Sequence, residues 1–235
     1  VQRRPAGPDG EPRFGLGPLG AAMVDNPAVA AMVEHHPALY ADLADPLALL
    51  RSEQGGRMAA YWSYATSARP GALADDSVLT YSALMAASQP LVAGQALDAF
   101  PLNRFRCLLD VGGGEGVFVA TALQRTPGLQ AMLFDLPAVT DVARNRLTGL
   151  GLADRVQVHG GDFTRDPLPT GADIVSLVRV LYDHGDQRAV TILHAVRRAM
   201  PAGATLLVTE PMAEVRGAER LGAYFGMYLQ SMGSG

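Results

Sequence analysis

Five short, mostly apolar runs occupy the second half of the chain: CLLDV (107–111), AMLFD (131–135), VQVH (156–159), DIVSLV (173–178) and TLLVT (205–209). Such runs are the mark of buried strands in a parallel sheet. Helical segments at 116–125, 138–150 and 186–200 lie between them. Parallel neighbours need crossover connections, and strand–helix alternation supplies them, right-handed, as a doubly wound α/β sheet. One more helix, 218–232, follows the fifth run before the chain closes on GSG.

Residues 1–100 have another character. Residues 1–12 read as a polar loop rich in Pro and Gly, and FGLGPLGAAM, from Phe14, as a short strand, a turn and a helix start. Apolar residues recur at helical spacing over 28–54, with breaks expected at Pro37 and Pro46. Tyr61, Trp62 and Tyr64 cluster, 67–77 reads as a loop, and a helical pattern over 77–99 is interrupted at Pro90. The division expected is a helical unit at 1–100 and the sheet domain at 101–235. With 49% hydrophobic residues and a mean hydropathy of +0.12, the 235 residues can build a substantial core. A formal charge of −4, with basic runs no longer than the pairs Arg3-Arg4 and Arg197-Arg198, argues against a nucleic-acid partner. No apolar run reaches the roughly 18 residues of a spanning helix. The first residues lack the apolar stretch of a signal peptide, and the single Cys107, which has no partner for an internal disulfide, fits a reducing compartment.

The first strand runs straight into DVGGGEGVF (110–118), where Gly112, Gly114 and Gly116 form a G-x-G-x-G turn opening a helix. Glycine lets backbone approach a ligand closely, and a helix N-terminus offers free N–H groups. A dinucleotide fingerprint would place its third glycine where Val117 stands. Two acids follow at strand ends. Asp135 can accept both hydroxyls of a ribose. Asp162, in GGDF, can accept an adenine amino group while Phe163 covers a base face. Either acid alone reads equally well as a solvated strand-end residue; the three features in order point to S-adenosylmethionine.

LLDVGGGEG, LFDLPAV, GGDF and RVLYDHGDQRAVTIL, in that order, resemble the small-molecule O-methyltransferases of the plant caffeate and bacterial polyketide type. RFGLGPLGAAM resembles the wing and following helix of that family's winged-helix dimerisation domain, and YSALMAASQP its pocket-lining linker helix. VDNPAVAAMVEHHPALYADLADPLALL and LMAASQPLVA bring the likeness closest to bacterial hydroxycarotenoid methyltransferases. The resemblance implies a Rossmann-like methyltransferase sheet, five strands visible of an expected seven and so C-terminally truncated, behind a partial winged-helix and lid domain. It implies S-adenosylmethionine as methyl donor, S-adenosylhomocysteine as product and no metal. Asp110, Gly112, Gly114, Gly116, Asp135, Leu136, Asp162, Phe163 and Arg179 would hold the cofactor. Arg179 stands where the family usually has a cofactor-contacting Lys. Met85, Ser88, Tyr228 and Met232 would line the acceptor pocket; for Met85 and Met232 plain core packing is the competing reading. The implied partners are a small apolar hydroxylated molecule and, at full length, a second copy. The implied location is cytoplasmic, at most peripheral to a membrane. As a chain that starts at Val1 inside the wing and leaves TLLVT as a bare edge, it is expected to be less stable, and inactive alone.

Where that family reads Leu-His-Asp-Trp, with His as general base, this chain reads Leu181, Tyr182, Asp183, His184. An aliphatic alcohol is too weak an acid for imidazole to ionise beforehand, so its proton leaves only as the new bond forms. Tyr182 is a poor base at neutral pH and suits orienting the acceptor oxygen. His184 has the right pKa, but shares a side with Tyr182 only if the segment is extended. Three assignments stand open: His184 as base, Tyr182 as orienter with the proton passing to water or Asp183, or a structural role for both. Glu210 matches an acid that supports the base, or is a solvated strand end. Rival functions are the same transfer to a polyketide or phenol, a winged-helix regulator sensing S-adenosylmethionine, and a related fold using the cofactor for hydroxylation or decarboxylation.

Overall fold

The computed structural model describes residues 2–61, 75–212 and 214–234. Five parallel strands form one sheet: β3 (Cys107–Val111), β4 (Gln130–Asp135), β5 (Val156–Gly160), β6 (Ile174–Val178) and β7 (Thr205–Thr209), in the order β5-β4-β3-β6-β7. Helices α6 (Val117–Arg125), α7 (Pro137–Gly149) and α8 (Asp186–Ala199) make the crossovers. The doubly wound reading holds, and consecutive residues show why the runs are mostly apolar. Leu108 and Leu109 are both fully buried on opposite faces of β3, Leu108 in a core with α6 and α7 and Leu109 in one with α8. The order reverses between β3 and β6, so the loops after β3, β4, β5 and β6 gather at one end, the switch point where such sheets bind ligands.

The first hundred residues hold two corrections and one addition. Residues 2–4, read as loop, form β1 (Gln2–Arg4), which pairs antiparallel with β2 (Arg13–Gly15) before α1 (Pro18–Ala21). Helix α2 (Pro27–Asp42) runs through Pro37 without breaking. A proline there removes the bond to the carbonyl of Val33, and both residues lie on the exposed side, where water replaces the lost donor. The expected break comes later, before α3 (Pro46–Arg51), whose N-cap Asp45 accepts from the Ala48 amide at 3.0 Å. After α4 (Arg57–Tyr61), helix α5 (Asp75–Ala99) likewise runs through an exposed Pro90. Trp62 and Tyr64 of the aromatic cluster lie outside the described residues.

The last helix, α9 (Glu219–Met232), folds back onto this N-terminal layer. Leu39, Met58, Leu84, Tyr228 and Met232 make a third buried cluster. Asp42 ties it together: its carboxylate accepts from the amides of Arg57 (2.8 Å) and Met58 (3.2 Å) and from the Ser231 hydroxyl. None of the described helices is long and apolar enough to cross a membrane.

Candidate active site

The turn after β3 needs its glycines for separate reasons. Gly112, Gly114 and Gly116 all have positive φ, 71°, 56° and 79°. A Cβ on Gly112 would stand 2.7 Å from Val180 Cγ2, and one on Gly113 2.8 Å from Leu133 Cγ. Over Gly114 nothing lies within 4 Å, because that side is a cleft. Gly116 starts α6 and packs on Leu147; it does not line the cleft. Gly113 does, and the GGG run carried that signal.

The cleft lies between the strand ends and α5 and, counted with the solvent it opens onto, spans about 930 Å³. One wall is Asp135, Leu136 and Val139 after β4, with Asp162 and Phe163 after β5. Asp135 Oδ2 accepts from the Gly114 amide at 2.6 Å and Oδ1 from its neighbour Leu136 at 2.7 Å, which pins the carboxylate at the turn. Burial pushes its pKa up, and these two amides pull against that shift. Each oxygen keeps a lone pair for a further donor. Asp162 Oδ1 accepts from the Thr164 amide (2.9 Å) and hydroxyl (2.6 Å), which shapes the loop and presents Phe163.

Asp110, expected at the cofactor, does not line the cleft. It is buried below the turn, Oδ1 accepting from Ser176 Oγ at 2.5 Å, and burial pushes its pKa to about 7, with the Asp135 charge adding to the rise against the Ser176 hydrogen bond.

The opposite wall is α5, with Ser82, Met85, Ala86 and Gln89. Arg179 joins it to the sheet. In a left-handed backbone conformation (φ 60°), its guanidinium donates to Ser88 Oγ (2.8 Å) and Gln89 Oε1 (3.2 Å) and lies 2.9 Å from Met85 Sδ. Three residues singled out separately are thus one contact. Met85 and Arg179 reach the cleft, while Ser88 is buried behind them as the partner of Arg179. Ser82, which the sequence did not flag, is buried with its Oγ facing no hydrogen-bond partner among the described residues. An unsatisfied buried hydroxyl costs about 1–3 kcal/mol, which a ligand donor or acceptor in the cleft would recover.

The segment 181–183 is a 3₁₀ turn, so Tyr182 and His184 diverge. Tyr182 points to α9, its ring 6.1 Å from that of Phe225. Burial drives its phenol far above the ordinary range; the Asp183 charge adds to this and Arg179 opposes it. Tyr182 is a neutral phenol here, and it does not line the cleft. His184 does, edge-on to Phe163 at 5.8 Å, on the wall of the two strand-end acids. That placement departs from a base at the acceptor. Asp183 is buried between them. Glu210 is no solvated strand end: Oε1 accepts from the amides of Val180 and Leu181, both at 2.8 Å, and fixes the start of the turn. Burial pushes Glu210 to about 7 against those two amides, with Asp183 raising it and Arg179 lowering it.

Tyr228 and Met232 are buried in the α2–α9 layer and do not line the cleft; for Met232, fully buried, core packing is what the structure shows. Met85 belongs to both regions, lining the cleft and packing on that cluster. Glu115, paired with Arg146 at 2.5 Å, and Arg188 also face the cleft; nothing in their spacing marked them beforehand.

An O-methyltransferase domain model matches residues 40–235. The chain is 46% identical over 224 residues to demethylspheroidene O-methyltransferase of Cereibacter sphaeroides, covering 95% of this chain and 59% of that protein. Among solved structures, the mitomycin 7-O-methyltransferase MmcR superposes with a TM-score of 0.76 at 26% identity, over 94% of this chain and 66% of that one. The neocarzinostatin-pathway O-methyltransferase NcsB1, solved with S-adenosylmethionine and 2-hydroxy-5-methyl naphthoic acid, does so at 0.67 and 25% identity, over 97% and 68%. The chain spans about three fifths of the length of the curated relative it matches.

Proposed function

The chain belongs to the O-methyltransferase domain family, and from that premise we propose that it transfers a methyl group from S-adenosylmethionine to a hydroxyl of an apolar molecule, a hydroxycarotenoid of the demethylspheroidene kind. The observation that carries the cofactor reading is the cleft wall. A pinned carboxylate beside Gly114, and an aromatic pair Phe163–His184 next to Asp162, suit a ribose and an adenine in that order. The open face of Gly114 leaves room for the cofactor chain, running toward Arg179, Met85 and Ser82.

Bound there, S-adenosylmethionine supplies an activated methyl whose sulfur leaves as a neutral thioether and needs no acid. The protein's work is alignment of the acceptor oxygen and disposal of its proton. In this reading Asp135 takes the ribose hydroxyls, Phe163 and His184 enclose the adenine, and Arg179 holds α5 at the methyl-bearing end. Tyr182 orients the acceptor from the α9 side. Residues 1–100 supply part of a dimerisation and lid domain. The carotenoid choice rests on the 46% identical relative and on the absence of charged residues from YSALMAASQPLVA and YFGMYLQSM; contact with a membrane holding such a substrate is peripheral.

Calorimetry on Asp135→Ala tests the cofactor reading, with loss of S-adenosylmethionine binding expected and near-native affinity as the refuting result. A panel of hydroxycarotenoids, phenols and polyketides with labelled donor tests the acceptor. Turnover of phenols with hydroxycarotenoids ignored would refute the carotenoid assignment.

A further inference from the structure

Ser82 is a buried polar side chain of the cleft wall that the proposed transfer leaves without a role. It sits on α5 and is 5% exposed. A helical serine or threonine can donate to the carbonyl three or four residues back. Thr121 does so to Val117 and Thr140 to Pro137, both at 2.8 Å, Thr191 to Gln187 at 2.9 Å and Ser88 to Met85 at 3.2 Å. Ser82 does not: its Oγ is shielded from water and has no hydrogen-bond partner among the described residues. A hydroxyl left in that state destabilises the ligand-free protein.

Its place along α5 limits what can reach it. The cleft-facing residues Ser82, Met85, Ala86 and Gln89 recur at helical spacing and form one stripe. At the Gln89 end, Arg179 bonds Gln89 and meets the Met85 sulfur, and the next residue, Val180, covers Gly112. That end belongs to the glycine turn. Ser82 lies at the other end, about 10 Å away along the helix axis, where Leu84 and Met85 join the buried cluster of the N-terminal layer. Its neighbours on the stripe, Met85 and Ala86, are apolar. With the cofactor placed as proposed, the ribose has Asp135, the adenine has Asp162, and the amino-acid end has the glycine turn. The methyl-bearing end then comes up to α5 at Met85, one turn from Ser82.

Resting on the proposed transfer, we propose that Ser82 binds the acceptor hydroxyl that is methylated. An apolar acceptor brings one polar group into the cleft, and the apolar end of the stripe offers it one. A serine hydroxyl is donor and acceptor at once. Oγ accepts the O–H of the acceptor, which leaves a lone pair of the acceptor oxygen to face the methyl carbon. Rotation about a single bond, between staggered positions, carries Oγ from its shielded place to the ligand. Ser82 keeps its own proton; the contact orients the acceptor and moves no proton. It also selects. A site built to pair with a hydroxyl rejects the analogue that lacks it, because the protein's own buried hydroxyl is then left unpaired.

The test compares the full chain with Ser82→Ala, which removes the hydroxyl and suits a helix. Without ligand, the variant's Tm should equal or exceed that of the wild type, because a buried unpaired group has gone. Calorimetry should find S-adenosylmethionine affinity unchanged. The kcat/KM for a hydroxycarotenoid should fall on the order of 10- to 100-fold. Independently of turnover, the wild type with S-adenosylhomocysteine bound should hold the hydroxycarotenoid about tenfold more tightly than the hydrocarbon carotenoid of the same skeleton, and Ser82→Ala should show no such preference. A native kcat/KM in the variant, or a hydroxyl preference that survives in it, would overturn the assignment. So would a loss confined to S-adenosylmethionine affinity, which would give the hydroxyl to the cofactor. A lower Tm of the free variant, with cofactor and acceptor binding weakened alike, would make Ser82 structural. If hydroxycarotenoids are not methylated, the acceptor class fails by itself, and the same comparison is made with the hydroxyl compound that the wild type does methylate and its deoxy counterpart.

Discussion

His184 and Tyr182 stand two residues apart and serve different walls, because the 3₁₀ turn between them rotates successive side chains apart where a strand would align alternate ones. His184→Ala should then weaken S-adenosylmethionine binding about tenfold, the roughly 1.4 kcal/mol of a lost aromatic contact, with kcat at saturation within threefold of wild type. A loss of kcat with intact affinity would instead make His184 the base. A second residue-scale outcome concerns Asp110. Its folded pKa, about 7, lies above its ordinary value, so the native state holds a proton that the unfolded chain releases. The stability this brings is complete at low pH and is lost as pH rises from about 4 to 7. Asp110→Asn keeps an oxygen for Ser176 and has no proton to lose. Its urea-unfolding free energy should fall between pH 5 and 8 by less than that of the wild type, by on the order of 3 kcal/mol. Parallel pH slopes in the two proteins would contradict it.

At the scale of elements, the sheet was legible and the helical layer only partly so. A parallel strand covered on both faces is buried at every position and so mostly apolar, as 174–178 is, with Ser176 its one polar residue, bonded to Asp110. The glycine turn and both strand-end acids were legible because they follow successive strands of the sheet in a fixed order, at the end where their loops gather. Pro37 and Pro90 misled because the cost of an interior proline depends on whether its freed carbonyl reaches water, which is a property of the packed helix. Tyr182 and His184 could be placed only once the turn type was known. Asp42 was silent in sequence because its three donors come from α4 and α9, 15 to 189 residues away. Burial raises its pKa, but Ser231 and the two amides outweigh that and leave it lowered. Its contribution is therefore present above the ordinary aspartate range and lost as pH falls through the lowered value. Asp42→Ala should cost roughly 2 kcal/mol at pH 7, with the deficit shrinking below about pH 4. A deficit under about 0.5 kcal/mol in denaturant titration would mean that water replaces Asp42 without loss.

For the molecule as a whole, the cleft is where its two layers meet. One wall consists of loops at the strand ends, the other of α5, and across the cleft they are joined by the guanidinium of Arg179 on Ser88, Gln89 and Met85. The α5 wall also carries the Ser82 hydroxyl, which has no hydrogen-bond partner among the described residues. A ligand spanning from Asp135 to Ser82 would touch both layers, so its binding energy would oppose their separation as well as the unfolding of either. At about 100 times its Kd, a ligand that binds only the folded state adds roughly 2.7 kcal/mol, and for a chain of this size each kcal/mol moves Tm by about 2–4 °C. Saturating S-adenosylmethionine or S-adenosylhomocysteine should therefore raise Tm by about 5–10 °C in a single transition. Arg179→Ala removes the clasp and leaves the ligand as the main bridge; its free form should melt lower and in two steps, with ligand restoring one. Two steps in the wild type that ligand does not merge would mean that the cofactor is held by the sheet loops alone and that α5 takes no part in its grip.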